Sequence, residues 1–219
     1  MMFNYIDVDL PELSRVTEDN NRLYVTPDGK KYPSVTTITS LYSREFIQAW
    51  KERVGEKEAA RVSRISAGRG TRMHKLCEDY LKNAELEKTM PDAQVMFNSI
   101  KPILDKYVDN VHSLEAPLYS HHLKSAGTVD CIAEFDGKLS IIDFKTSKRK
   151  KTEDKIPNYF MQCAAYAVMY EEMTGTPINR LVIIMAVENE EPLVFVKKRD
   201  DYIKGFLDLR LQYKKETGL

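Results

Sequence analysis

The order of periodic segments predicts a mixed α/β domain of the α+β kind, a central five-stranded mixed sheet flanked by helices. Three observations carry that expectation. Apolar residues recur at helical spacing through residues 43–110, a tight hairpin signal occupies residues 127–147, and a further helix then separates that hairpin from two more apolar strands. At 219 residues the chain suits one domain, 1–219, with a sizeable core. Within it, 43–110 reads as a helical arch or subdomain and 111–219 as the sheet-bearing core.

The elements follow in order. Leu23, Val25, Tyr32 and Val35 alternate around Pro27-Asp28-Gly29, which marks an N-terminal hairpin over 22–35. Thr36–Leu41 suits a short helix after Pro33-Ser34. From Ser43 to Asn83 the apolar positions Phe46, Ile47, Trp50, Val54, Ala59, Val62, Ile65, Met73, Leu76, Cys77 and Tyr80 fall on helical faces. Gly70 is expected to end one helix there and Thr71 to cap the next. Ala93–Val108 is helical, with Pro102 a candidate kink. Strands are expected at 111–119, 128–135 and 138–145, then a polar loop at 147–155 and a helix from Tyr159 to Met173 stopped by Gly175. Strands at 181–187 and 193–197 and a helix at 203–213 complete the chain.

Composition narrows the function classes. Apolar residues make up 42% and charged residues 30%, the balance of a globular protein. No apolar run reaches membrane-spanning length, and the first residues, Met-Met-Phe-Asn-Tyr-Ile-Asp, lack a secretory pattern. Cys77, Cys131 and Cys163 are scattered and odd in number, which fits reduced thiols in a cytoplasmic compartment. They form no CxxC pair, so a zinc ribbon or a four-cysteine iron–sulfur cluster is not expected. Lys plus Arg equals Asp plus Glu at 33 each, which argues against nucleic-acid binding by bulk charge but leaves room for a local basic groove. Lys148-Arg149-Lys150-Lys151 is the densest candidate, and a solvated loop is its plainer reading.

The chemistry concentrates in the hairpin. Asp136-Gly137 between two β-rich runs signals a two-residue type I′ turn. Phe135 then pairs with Lys138, and counting outward brings Asp130 opposite Asp143 as a close, non-hydrogen-bonded pair. Lys145 projects beside Asp143, because residues two apart on a strand share a face. Like charges directly opposite one another destabilise a sheet. A divalent cation reverses that sign, since hard cations prefer carboxylate oxygen. The alternative reading has the two aspartates capping opposite strand ends. Against it, Val129, Ile132, Ala133, Ile141, Ile142 and Phe144 make both faces apolar, where an unpaired charge is costly. Elsewhere, His74 and Glu78 share a helical face, as do Gln162 and Tyr166, and either pair also fits an ordinary side-chain contact. Small residues Cys163, Ala164, Ala165 and Ala167 allow the second helix to approach the strand carrying Asp143.

Together these residues resemble the PD-(D/E)XK nuclease superfamily. Asp130 followed by Asp143-Phe144-Lys145 is similar to its central pattern, with Val129-Asp130 where Pro-Asp is usual. Gly70, Thr71, His74 and Glu78 resemble the upstream motif of the RecB-like branch, and Gln162-xxx-Tyr166 its downstream motif. Tyr32-Pro-Ser-Val-Thr-Thr-Ile38 and Trp50-Lys-Glu-Arg-Val-Gly55 look like segments of the mitochondrial genome maintenance exonucleases and their phage counterparts. The resemblance implies a restriction-endonuclease-like core. It also implies Mg²⁺ or Mn²⁺ held by Asp130, Asp143, the Phe144 carbonyl and His74, with Asp130, Asp143, Lys145 and Gln162 as the catalytic set. Thr146, Ser147, Lys148, Tyr166, Arg69 and Arg72 would contact nucleic acid. The implied activity is metal-dependent exonucleolytic hydrolysis of single-stranded DNA from a free end, by a monomer, in replication, recombination or repair. The setting expected is the cytoplasm of a bacterial or phage-infected cell rather than a mitochondrion, since no transit pattern opens the chain. A site-specific or structure-specific endonuclease and a non-catalytic nucleic-acid-binding module are the alternatives.

Overall fold

In a computed structural model describing residues 2–18 and 21–219, two sheets form, one small and one central. The small one is antiparallel: β1 (Ser14–Glu18), β2 (Asn21–Val25) and β3 (Lys31–Pro33). The expected hairpin is β2–β3, turned at Gly29 with φ +81°. Strand β1 is additional. Its Ser-Arg-Val-Thr-Glu run holds one apolar residue, so no alternation announced it.

Helix α1 (Val35–Thr39) begins where the Ser34 hydroxyl accepts from the Thr37 N–H at 3.0 Å, an N-cap that satisfies one otherwise free donor. Next come α2 (Arg44–Val54), α3 (Glu56–Leu81) and α4 (Pro91–Tyr107). The expected break at Gly70-Thr71 is absent: α3 runs straight through, and the Thr71 hydroxyl bonds back to the Ala67 carbonyl. The interruption lies instead at Gly55, whose φ of +83° suits glycine. Glycine inside a helix costs about 1 kcal/mol relative to alanine. At Gly70 an added Cβ would lie 3.8 Å from the Thr146 hydroxyl on the central sheet, an ordinary contact, so that neighbour does not by itself require glycine.

The central sheet comprises β4 (Val108–Ser120), β5 (Ser125–Phe135), β6 (Lys138–Ser147), β7 (Arg180–Val187) and β8 (Leu193–Lys198), paired in that order. All pairings are antiparallel except β6–β7, which α5 (Pro157–Thr174) joins as a crossover. The last helix is α6 (Ile203–Thr217). The expected mixed five-stranded sheet with helices on both faces is the one found. Its two faces bury separate cores. One, under α5, contains Ile141, Ile183, Phe160 and Tyr170; the other, under α3 and α4, contains Ile142, Phe144, Val182 and Phe97. Helices on both faces explain why β7 (Arg-Leu-Val-Ile-Ile-Met-Ala-Val) reads as an unbroken apolar run.

Candidate metal centre

The hairpin turn sets the geometry. Asp136 and Gly137 both have positive φ, +52° and +70°, as a type I′ turn requires. Phe135 therefore faces Lys138, and the ladder proceeds to Cys131 opposite Ile142. One step further, Asp130 and Asp143 occupy opposed positions, and there the main-chain ladder stops. The Asp130 carboxylate takes over as acceptor, receiving the Phe144 N–H at 2.9 Å.

A third carboxylate joins from the neighbouring strand. In the β4–β5 register Leu114 faces Cys131 and Ala116 faces Val129, which sets Glu115 across from Asp130. Residues two apart normally share a face, yet Leu114 and Cys131 pack toward α3 and α4, whereas Ala116 and Val129 pack under α5. Both strands roll over at this point, and Glu115 has the positive φ, +48°, that accompanies the roll. Glu115, Asp130 and Asp143 thus form a row of acids across three strands at the seam between the two cores.

Helix α3 brings His74 to the row. Its Nδ1 lies 3.5 Å from an Asp130 oxygen, and its ring meets Phe144 edge-on with centroids 6.2 Å apart. One ligand atom from each of His74, Glu115 and Asp130 lies within 4.8 Å of the others. Crowding marks the acids electrostatically. Burial, reinforced by the charge of Asp130, raises the Glu115 carboxyl to about 7. Although Glu115 is exposed as a whole residue, its carboxyl is the crowded end, where burial acts first and the charge of Asp130 adds to it.

On the other side of the seam Asp143 is 1% exposed. Lys145 Nζ stands 2.7 Å from its Oδ1 and 2.6 Å from its Oδ2, while Gln162 Nε2 on α5 donates to Oδ1 at 3.0 Å. The Oδ2 atom is buried without a well-directed hydrogen bond, which leaves its lone pairs for a cation. Burial raises the Asp143 carboxyl to about 6 against the pull of Lys145. Burial also works against the Lys145 ammonium, but the charges of Asp143 and Asp130 outweigh it and hold the proton on. Tyr159 flanks this lysine, with Nζ 5.0 Å from the ring centroid, and Lys151 approaches the same ring at 5.2 Å. The donor set is all oxygen and imidazole, buried at Asp143 and partly open to solvent at His74 and Glu115, and over-rich in negative charge; a hard divalent cation fits it.

The remaining expected residues fall in three groups. Thr146 follows on β6 under Gly70, while the Ser147 hydroxyl donates to the Arg149 carbonyl at 2.6 Å and Lys148 is exposed. Tyr166 is buried against Gly127, where an added Cβ would come within 2.8 Å of the phenol oxygen. Arg69 pairs with Glu188 at 3.2 Å and Arg72 with Asp92 at 3.3 Å, Arg69 and Asp92 lining a cavity of about 690 Å³ beside α4. Glu78 is engaged by Lys75 and Lys82. All three cysteines are buried free thiols. Glu115 and Tyr159 were not legible as site residues. The register that opposes Glu115 to Asp130 is counted from a loop, 121–124, with no tight-turn motif.

Residues 112–212 match the PD-(D/E)XK nuclease superfamily. It is also similar to two proteins named mitochondrial genome maintenance exonuclease 1. That of Xenopus tropicalis is 29% identical over 73% of this chain and 50% of its own length; that of Mus musculus is 34% identical over 67% and 46%. The chain thus spans about half the length of these curated relatives. A solved structure from Eubacterium rectale superposes with a TM-score of 0.46 at 12% identity, over 67% of this chain and 65% of that one.

Proposed function

We propose that this chain is a divalent-metal-dependent deoxyribonuclease that hydrolyses phosphodiester bonds, acting on single-stranded DNA from a free end. The observation that supports it most is the cluster of His74, Glu115 and Asp130, with Asp143 and its paired Lys145 at the opposed position on β6. Asp130, Asp143, His74, the Phe144 carbonyl and Glu115 are the groups that would hold Mg²⁺ or Mn²⁺. Such an ion, when bound, polarises a phosphodiester and lowers the pKa of a coordinated water. Lys145 keeps a fixed positive charge at the place where negative charge develops on the phosphate. Gln162 holds the Asp143 carboxylate in one orientation through its 3.0 Å hydrogen bond. Lys148, exposed at the end of the same strand, is placed to meet a backbone phosphate.

Two things favour a single strand with an end. The relatives' name specifies exonucleases. In addition, α2 buries none of its residues, leaves Phe46 74% exposed and carries Lys51 and Arg53 in its last turn, a mixture of aromatic and basic groups of the kind on which unpaired bases stack. The test is cleavage of end-labelled linear and covalently circular single strands, with Mg²⁺ and with EDTA. Metal-dependent loss of the linear substrate with the circle intact is expected. A circle cut as fast as the linear strand would make the enzyme an endonuclease, and no cleavage of either would remove the nuclease reading.

A further inference from the structure

The end of the central sheet opposite the acids carries an uncompensated basic cavity. Lys138 opens β6, Arg180 opens β7 and Lys198 closes β8. Arg180 lies directly across from Lys198 in the β7–β8 register and across from Ser140 in the β6–β7 register, two residues along from Lys138. Alternation puts all three on the α4 face, the one to which Ile142 and Val182 belong. They line a cavity of about 610 Å³ together with Lys197 and a single carboxylate, Asp201. Among the described residues Lys197 alone of these four cations has an acidic partner, Glu153. Like charges opposed across strands are unfavourable, and among the described residues the lone Asp201 makes no ion pair with Lys138, Arg180 or Lys198.

Arg180 supplies the second observation. Its guanidinium carbon lies 5.8 Å from the Phe135 ring centroid, and its Nε is buried with no hydrogen-bond partner. Phe135 in turn stacks on Tyr107, centroids 5.3 Å apart at 26°, and Lys106 Nζ sits 4.8 Å from the Tyr107 centroid. The rings brace a guanidinium whose inner donor lacks an acceptor. A buried donor left unmade is costly, and a planar fork among ammonium groups matches the oxygens of a phosphate. The volume suits a nucleotide-sized ligand. We propose that this cavity is a phosphate-ester site separate from the metal centre. Lys138 and Lys145 are seven residues apart on β6, about 23 Å at 3.3 Å per residue. Its occupant is either a backbone phosphate of a nucleic acid or a free nucleotide.

The site goes beyond the nuclease reading and is tested without catalysis. In EDTA, binding of inorganic pyrophosphate, 5′-AMP and a single-stranded oligonucleotide is measured for the parent and for Lys138→Glu/Lys198→Glu, both changes at exposed positions. Affinity for at least one probe should fall tenfold or more. If the oligonucleotide is the probe affected, its log-affinity-versus-log-salt slope should also shrink by about 1.4, since each lost contact removes about 0.7, and the occupant is a strand. Loss confined to pyrophosphate or 5′-AMP identifies a free phosphate ester. If all three probes bind parent and variant within twofold, or none binds the parent, the proposal is overturned. Lys138→Gln and Lys198→Gln, milder changes, serve if charge reversal prevents folding. Failure of the nuclease reading appears separately, as absence of Mg²⁺-dependent cleavage.

Discussion

The two ends of β6 obey the same rule and differ in burial. At one end Glu115, Asp130 and Asp143 crowd together, with Asp143 1% exposed; at the other Lys138, Arg180 and Lys198 crowd together, with both lysines exposed. Water screens the second group, so its repulsion is small and salt-dependent. It screens the first group poorly, and the protein surrounds it with dedicated partners: Lys145, Gln162 and the Phe144 N–H. The acid end is therefore where substitution and ligand removal should matter most, and the basic end where ionic strength should.

The largest effect expected is loss of catalysis. Asp143→Ala or Lys145→Ala should lower Mg²⁺-dependent cleavage on the order of 10³-fold while phosphate-ester binding at the basic end persists. Equal cleavage by parent and variant would dissolve the distinction between the ends. Metal addition gives a second measure. A ligand at about 100 times its Kd stabilises the fold by about 2.7 kcal/mol, or roughly 5–10 °C in Tm for a chain of this size. Mg²⁺ should produce that shift in the parent and not in Asp130→Asn; an equal shift in both would place the ion elsewhere.

Glu115 sharpens the contrast within the acid end. Glu115→Gln removes one of the opposed charges, so the metal-free protein should melt a few degrees higher than the parent, about 2–4 °C per kcal/mol of repulsion relieved. Apparent Mg²⁺ affinity should fall roughly 10–100-fold at the same time. A substitution that stabilises the empty fold and weakens metal binding is the signature of a functional carboxylate. An unchanged metal titration would make Glu115 a bystander.

How much of this the amino-acid sequence carried depends on how local the cause was. The Asp136-Gly137 turn specifies its own register, so Phe135 opposite Lys138, and from it the approach of Asp130 to Asp143, follow from two residues. Glu115 depends on a pairing counted from a loop with no tight-turn motif and on a main-chain flip, neither of which has a short-range signal. Gly70 read as a helix end because propensity was the only visible term; the burial of Ala59, Met73, Leu76 and Cys77 that holds α3 together on both sides of it is a tertiary term. Arg69 and Arg72 looked like free phosphate ligands because Glu188 and Asp92, their partners, sit on elements distant in sequence. The central strands and the helices that follow them emerged readily along the chain, since periodicity is a property of each segment.

The smallest effect expected comes from the support beneath the acid end. Gly127 on β5 faces Tyr166 on α5 so closely that an alanine Cβ would lie 2.8 Å from the phenol oxygen and 2.9 Å from a ring carbon. Gly127→Ala must push α5 away from the sheet, an overpacking cost of about 1–3 kcal/mol, or roughly 2–10 °C in Tm. Gln162 stands one turn before Tyr166 on that helix, so the displacement should loosen its bond to Asp143 and lower cleavage several-fold with little change in anion binding at Lys138 and Lys198. Tyr166→Phe removes one of the two clashing atoms. The double variant should therefore recover part of the lost stability and activity, a coupling that separate sites would not show. Strictly additive losses in the four-member cycle would mean that Tyr166 does not transmit the strain and that Gly127 acts through β5 alone.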